Sequence, residues 1–122
     1  MQSGSLVKRP GGLVLLGLVA SLMLAGARLA PGADRPAEIA LTIEQHRFQP
    51  EEIRVKANAP FVLVITNKDA IPEEFDSKEL RIEKVIPGGK TLRLRMPALK
   101  KGTYGFVGDY HAQTAKGRII AE

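Results

Sequence analysis

The chain has 122 residues, a formal net charge of +5, 44% hydrophobic and 25% charged residues, which suits one small globular domain and leaves no room for a second. It contains no cysteine, and this excludes disulfides, iron–sulfur clusters, zinc ribbons, thiol catalysis and lipoprotein acylation together. The excess positive charge is scattered, with no aromatic interleaving, and two of the charges, Lys8 and Arg9, sit in an amino-terminal leader, so no nucleic-acid partner is expected.

In chain order, the first element is that leader. Lys8 and Arg9 precede an apolar run from Gly11 to Ala27, the layout of a secretory signal. Ala25-Gly26-Ala27 supplies the small-x-small pattern that a signal peptidase cuts after. Residues 1–27 are therefore expected to form a hydrophobic signal or anchor helix. A retained anchor is the alternative, although a span needs about 20 apolar residues. Both readings put the remainder outside the cytoplasmic membrane, in the periplasm or beyond. Residues 28–37 have the Pro/Gly/Ala/charge mixture of a flexible tether.

Residues 38–122 then show a period of two. Ile39, Leu41 and Ile43 alternate with Ala40, Thr42 and Glu44, and Ile53 and Val55 alternate with Arg54 and Lys56, as half-buried strands do. Phe61 to Thr66 is apolar on both faces, as a central strand would be, and ends at the turn-forming Asn67-Lys68-Asp69. Leu80, Ile82 and Val85 mark a weaker strand before the turn Pro87-Gly88-Gly89-Lys90. Leu92, Leu94 and Met96 alternate with Arg93 and Arg95, Tyr104 and Phe106 open the next strand, and Gly117 to Ala121 is the last. About seven short strands separated by regular turn signals, with no helical period after the leader, predict an all-β, two-sheet sandwich. Met96 shares the face of Leu92 and Leu94 and is expected in the core.

Side chains with metal-ligand chemistry gather in three loops or strand ends: His46; Glu73 and Glu74; and Asp109 with His111. An extended segment would send Asp109 and His111 to the same face, since they are two apart. Carboxylate oxygens and imidazole nitrogens together suit Cu(II), Fe, Mn or Zn, and suit Cu(I) poorly. Each residue also has an ordinary reading: a solvated histidine, an acidic turn after Pro72, an aspartate that organises its own turn. Spacing alone leaves both readings open.

Phe48-x-Pro50-x-x-Ile53-x-Val55, Ile65-x-Asn67-x-Asp69, Pro87-Gly88, Leu99-x-x-Gly102-x-Tyr104-x-Phe106 and Gly117 together resemble the cupredoxin superfamily over nearly everything after the tether. The resemblance implies a cupredoxin-like Greek-key β-sandwich. It also puts Gly108 where electron-transferring members carry their copper cysteine, Ala115-Lys116 where a methionine is expected, and Glu73-Glu74 where the first copper histidine stands. A blue-copper centre is therefore not expected. Glu73-Glu74-Phe75-Asp76-Ser77, Glu83-Lys84-Val85-Ile86-Pro87-Gly88-Gly89 and Gly108-Asp109-Tyr110-His111-Ala112-Gln113-Thr114-Ala115-Lys116-Gly117 further resemble the domains related to the amino-terminal domain of the EfeO iron-uptake protein.

That second resemblance implies an exported module binding Cu(II) or iron. His46, Glu74, Asp109 and His111 are the expected ligands, the membership of Glu73 and Glu83 stays open, and Gly108 and Gly117 are assigned to loop backbone. A membrane iron permease or an oxidase would be its partner, and homodimerisation is left open. Ligation without turnover is expected, so the chain is not read as an enzyme. The alternatives are an adaptor sandwich that contacts such a partner without metal, and a redox-active copper site.

Overall fold

A computed structural model describes residues 35–122, together with 3, 4, 11 and 12. The chain divides into two units, Met1–Pro31 and Gly32–Glu122. The leader helix, its cleavage point and most of the tether lie outside the described residues, and the strands all belong to the second unit.

The strands are β1 (Ala37–Glu44), β2 (Arg47–Gln49), β3 (Glu52–Val55), β4 (Phe61–Asn67), β5 (Glu73–Ser77), β6 (Ile82–Ile86), β7 (Thr91–Met96), β8 (Gly102–Gly108) and β9 (Lys116–Ala121). A 3-10 turn, Asp109–His111, follows β8. The strands form two sheets, in the orders β2-β1-β4-β7 and β3-β9-β8-β5-β6. β1 runs parallel to β4, and β3 parallel to β9, while the other pairings are antiparallel.

The period of two decides which residues face inward. In β4, Phe61, Leu63, Ile65 and Asn67 are buried while Val62, Val64 and Thr66 are half-buried on the outer side, as suits a strand flanked by β1 and β7. Leu41, Ile43, Ile53, Ile86 and Ile119 join them in one core. Burying each such side chain contributes about 1.5–3 kcal/mol relative to leaving it exposed. Met96 is buried, as its alternation predicts.

The sandwich has two more strands than the sequence indicates. β2 is only three residues long and follows β1 after two turn residues, so its period is too short to read. β5 reads as an acidic loop after Pro72, yet it pairs with β6 along its whole length and with β8 through Phe75↔Gly108 and Asp76↔Val107. Its alternation buries Glu73, Phe75 and Ser77 and leaves Glu74 and Asp76 half-exposed on the other face.

At one end of the core, Phe48, Phe75 and Phe106 pack together. Phe106 lies 4.9 Å from each of the other two ring centroids, and Phe48 meets both partners edge-on. His46, Glu73 and Gly108 each stand two residues along the chain from one of these rings, so the three rings floor the end of the sandwich where the sequence candidates gather.

Candidate metal centre

His46 occupies the two-residue turn between β1 and β2, whose strands pair as Glu44↔Arg47. Both turn residues have positive φ, 53° at Gln45 and 56° at His46. Such turns match the twist of a hairpin but favour Asn and Gly, and a larger side chain there costs of order 1 kcal/mol. Asp69, in the loop after β4, offsets that cost. Its Oδ1 accepts from Gln45 N at 2.7 Å and its Oδ2 from His46 N at 3.0 Å. These bonds, the one from His46 first, hold the Asp69 carboxyl below the usual carboxylate range against the opposing effect of burial.

Asp69 is itself placed by fully buried Asn67. The Asn67 amide donates to the carbonyls of Ile71 and Ile86 at 2.9 and 3.0 Å, and its Oδ1 accepts from Asp69 N at 3.0 Å. One Asn-x-Asp motif thus ties together the β1–β2 turn, the β4–β5 loop and the end of β6. From the far side, the Thr114 hydroxyl donates to His46 O at 2.6 Å. The loop that carries Thr114 closes on itself through Gly108 N to Ala115 O and Ala115 N to His111 O, at 2.8 and 2.9 Å. His46 and His111 are 65 positions apart in the chain, and the latch between their loops brings the two rings to a centroid distance of 3.8 Å with planes 15° apart.

Glu73 enters from β5, with only 1% of its surface exposed. A buried carboxyl needs its oxygens satisfied. Oε1 accepts from Tyr110 N and Glu74 N, both at 3.0 Å, and Oε2 meets His111 Nδ1 at 2.5 Å. That last contact needs a proton between the two atoms. His46 Nδ1 is buried and has no hydrogen-bond partner. It lies 3.5 Å from Asp69 Oδ2, which already accepts from His46 N, and at that distance the pair makes no hydrogen bond.

His46, Glu73 and His111 each offer a donor atom within 4.8 Å of the others, and among the described residues this is the group of three or more metal-ligating side chains that converges. Of the four ligands expected from sequence, the structure brings His46 and His111 together and places Glu74 and Asp109 elsewhere. Glu74 lies on the outer face of β5, opposite Val85. Its carboxyl is raised above the ordinary range by desolvation first and then by Asp109, Glu83, Asp76 and Glu73. Asp109 opens the 3-10 turn with an exposed side chain, because the chain leaves the extended conformation there and residues 109 and 111 no longer share a face. Glu73 takes the third position. The signal for it is the alternation through Phe75, which marks 73 and 77 as inward positions once the segment is read as a strand.

A family model for the cupredoxin-like domain matches residues 13–121. The chain belongs to the cupredoxin-like domain family. This cupredoxin-like chain is similar to the uncharacterized protein RP394 of Rickettsia prowazekii (strain Madrid E), at 36% identity over 87 residues that cover 71% of this chain and 70% of the relative. Among solved structures, it is similar to auracyanin A, a blue copper protein from Chloroflexus aurantiacus. The TM-score is 0.62 at 14% identity over 71% of this chain and 99% of that one. It is also similar to a copper binding protein in its apo form, with a TM-score of 0.61 and 21% identity over 70% of this chain and 86% of that one. At these identities the structural likeness shows the fold. The cupredoxin-like domain here has no thiolate to offer a metal, and its converging donors are two imidazoles and one carboxylate.

Proposed function

We propose that this cupredoxin-like chain is a metal-binding module that takes up Cu(II) through His46, Glu73 and His111. The convergence of these three side chains within 4.8 Å, one of them a fully buried carboxylate, is the observation that carries the reading. The donor set fits a borderline divalent ion, and His46 Nδ1 is left without a protein partner. Bound copper would supply a cation that neutralises the buried carboxylate. The residues themselves do three things: Glu73 brings negative charge into a water-poor end of the sandwich, His111 gives up the proton it shares with Glu73, and His46 turns.

The turn follows from ring geometry. A nitrogen lone pair lies in the plane of its imidazole, and two rings stacked 15° from parallel at 3.8 Å send their lone pairs along nearly parallel planes. Ligation by both rings therefore breaks the stack. With 43% of its side chain exposed against 25% for His111, His46 is the ring with room to move.

In this proposal the leader exports the chain to the periplasmic side, where the domain works by ligation without turnover and hands its metal to a permease or an oxidase. The resemblance to the EfeO-type subgroup supports iron as the alternative cargo. The copper proteins among the structural neighbours support copper first. Calorimetric titration of the purified domain with Cu(II), Zn(II), Mn(II) and Fe(III) is expected to give micromolar or tighter Cu(II) binding that a His46→Ala/His111→Ala double variant loses. Absence of binding by every metal would end the proposal.

One observation favours a docking role beside this one. Among the described residues, Ile71, Val85 and Tyr110 are the exposed large hydrophobic side chains; Ile71 precedes β5 and Tyr110 stands next to His111, while Val85 lies on the outer face opposite Glu74. An adaptor surface at this end would survive loss of the metal, so pull-down of a partner by the double variant separates the two readings.

A further inference from the structure

Gly108 ends β8 beside the carboxyl of Glu73. Its backbone, at φ −88° and ψ 102°, is ordinary extended chain that any residue adopts. Conformational freedom therefore does not explain a glycine here, and the assignment of Gly108 to loop backbone is replaced by one of space. A Cβ at this position would sit 2.8 Å from Glu73 Cδ, 2.9 Å from Glu73 Oε1 and 2.6 Å from the Cβ of Ala115, which is itself fully buried. Separations under 3.0 Å are not sustained by real side chains. The carboxyl is the movable end of Glu73, but moving it breaks the bonds to Tyr110 N, Glu74 N and His111 together.

We propose that Gly108 fixes the donor set: the space left by its missing side chain is the seat of the Glu73 carboxylate. A side chain at 108 and a carboxylate from 73 exclude one another. A glycine at this point of β8 thereby commits the centre to oxygen and nitrogen donors, and so to Cu(II)-like, borderline ions over Cu(I). Gly108 is a positioning and selectivity residue that need not touch the metal. The proposal rests on the reading of His46, Glu73 and His111 as a metal centre.

The test separates the two walls of the seat. Ala115→Gly removes the one that cannot move, and Gly108→Ala and Glu73→Ala are then combined in that background, singly and together. Urea unfolding reads the spatial claim without metal. Gly108→Ala should lower the unfolding midpoint while Glu73 is present, and leave it unchanged or raise it once Glu73→Ala has emptied the seat. Equal effects in both backgrounds would overturn the proposal. Titration with Cu(II), and with Cu(I) for comparison, reads the selectivity claim: Gly108→Ala should weaken Cu(II) binding at least tenfold, to the level of Glu73→Ala and with no further loss when the two are combined, and should narrow the preference over Cu(I). Unchanged Cu(II) affinity in the Gly108→Ala variant would also overturn it. Failure of the parent chain to bind any metal would overturn the proposed function and with it the selectivity claim, while the unfolding cycle would still decide whether residue 108 and Glu73 share one space.

Discussion

Asp69 holds His46 by its backbone, accepting His46 N at 3.0 Å while its other oxygen accepts Gln45 N at 2.7 Å. An acid that never needs to reach the metal thereby sets the left-handed turn that presents the imidazole. Removing it leaves two peptide N–H groups and a strained turn without support. Asp69→Ala is expected to cost about 1–3 kcal/mol of stability in urea unfolding, the range for losing charged hydrogen bonds. It should weaken Cu(II) binding although no ligand has been changed. Full stability in this variant would show that the turn holds itself.

Metal binding should separate the stacked rings. In the apo domain each imidazole lies over the other at 3.8 Å and shields its partner's protons. Addition of Zn(II), which is diamagnetic, is expected to move the ring-proton NMR signals of both His46 and His111 downfield as the shielding is lost. Signals that keep their apo positions at saturating zinc would show that the rings do not ligate together.

Binding should also release protons. The contact between His111 Nδ1 and Glu73 Oε2 holds one proton, and a metal that takes both of these atoms displaces it. Isothermal titration in buffers of different ionisation enthalpy is expected to show a net release at neutral pH. Affinity should then fall as the pH is lowered, because protons compete with the metal for the donor atoms. A binding enthalpy independent of buffer would argue against this step.

Away from the centre, Glu52 ties edge strand β3 to β9. It accepts from Arg118, its partner in the β3–β9 register, at 2.6 Å and from Arg54 at 2.7 Å, and Arg54 reaches Glu122 at 3.0 Å. The Arg118 bond foremost holds the Glu52 carboxyl below its ordinary value. A folded-state pKa below the unfolded one stabilises above the unfolded value, about 4.3, and that stabilisation is lost as the pH falls through the lower folded value. The ion pairs are solvent-exposed, so the effect is small and weakens in salt. Glu52→Gln should lower the urea midpoint slightly at neutral pH, and the difference from the parent should close as the pH falls below the lowered folded value. A difference that persists there would assign the loss to packing.

How much of this was legible in the sequence depends on where the determining contacts lie. β1 and β7 alternate over five or more positions, and their inward residues, including Met96, follow from the period alone, whereas β4 is apolar on both faces and only its burial in the structure separates the two. His46 and His111 are legible by type, as the only imidazoles of the chain. Glu73 is not legible in that way. Its neighbours Pro72, Glu74, Asp76 and Ser77 have the composition of a solvated turn, and what buries its carboxyl comes from Tyr110 and His111, more than thirty positions downstream. The choice between adjacent glutamates turns on strand phase: one residue's shift sends the side chain to the opposite face. Asp109 lies outside the converging group for the complementary reason, because the extended run ends at Gly108 and a 3-10 turn begins.

The central claim is that the third ligand is Glu73 and not Glu74, and Cu(II) titration of Glu73→Gln and Glu74→Gln side by side tests it most directly. Glu73→Gln keeps the shape of the side chain but removes the charge from the site, and is expected to weaken Cu(II) binding at least tenfold. Glu74→Gln, on the outer face among Asp76, Glu83 and Asp109, should bind as the parent does. Loss of binding in Glu74→Gln with none in Glu73→Gln would contradict a metal centre built from His46, Glu73 and His111.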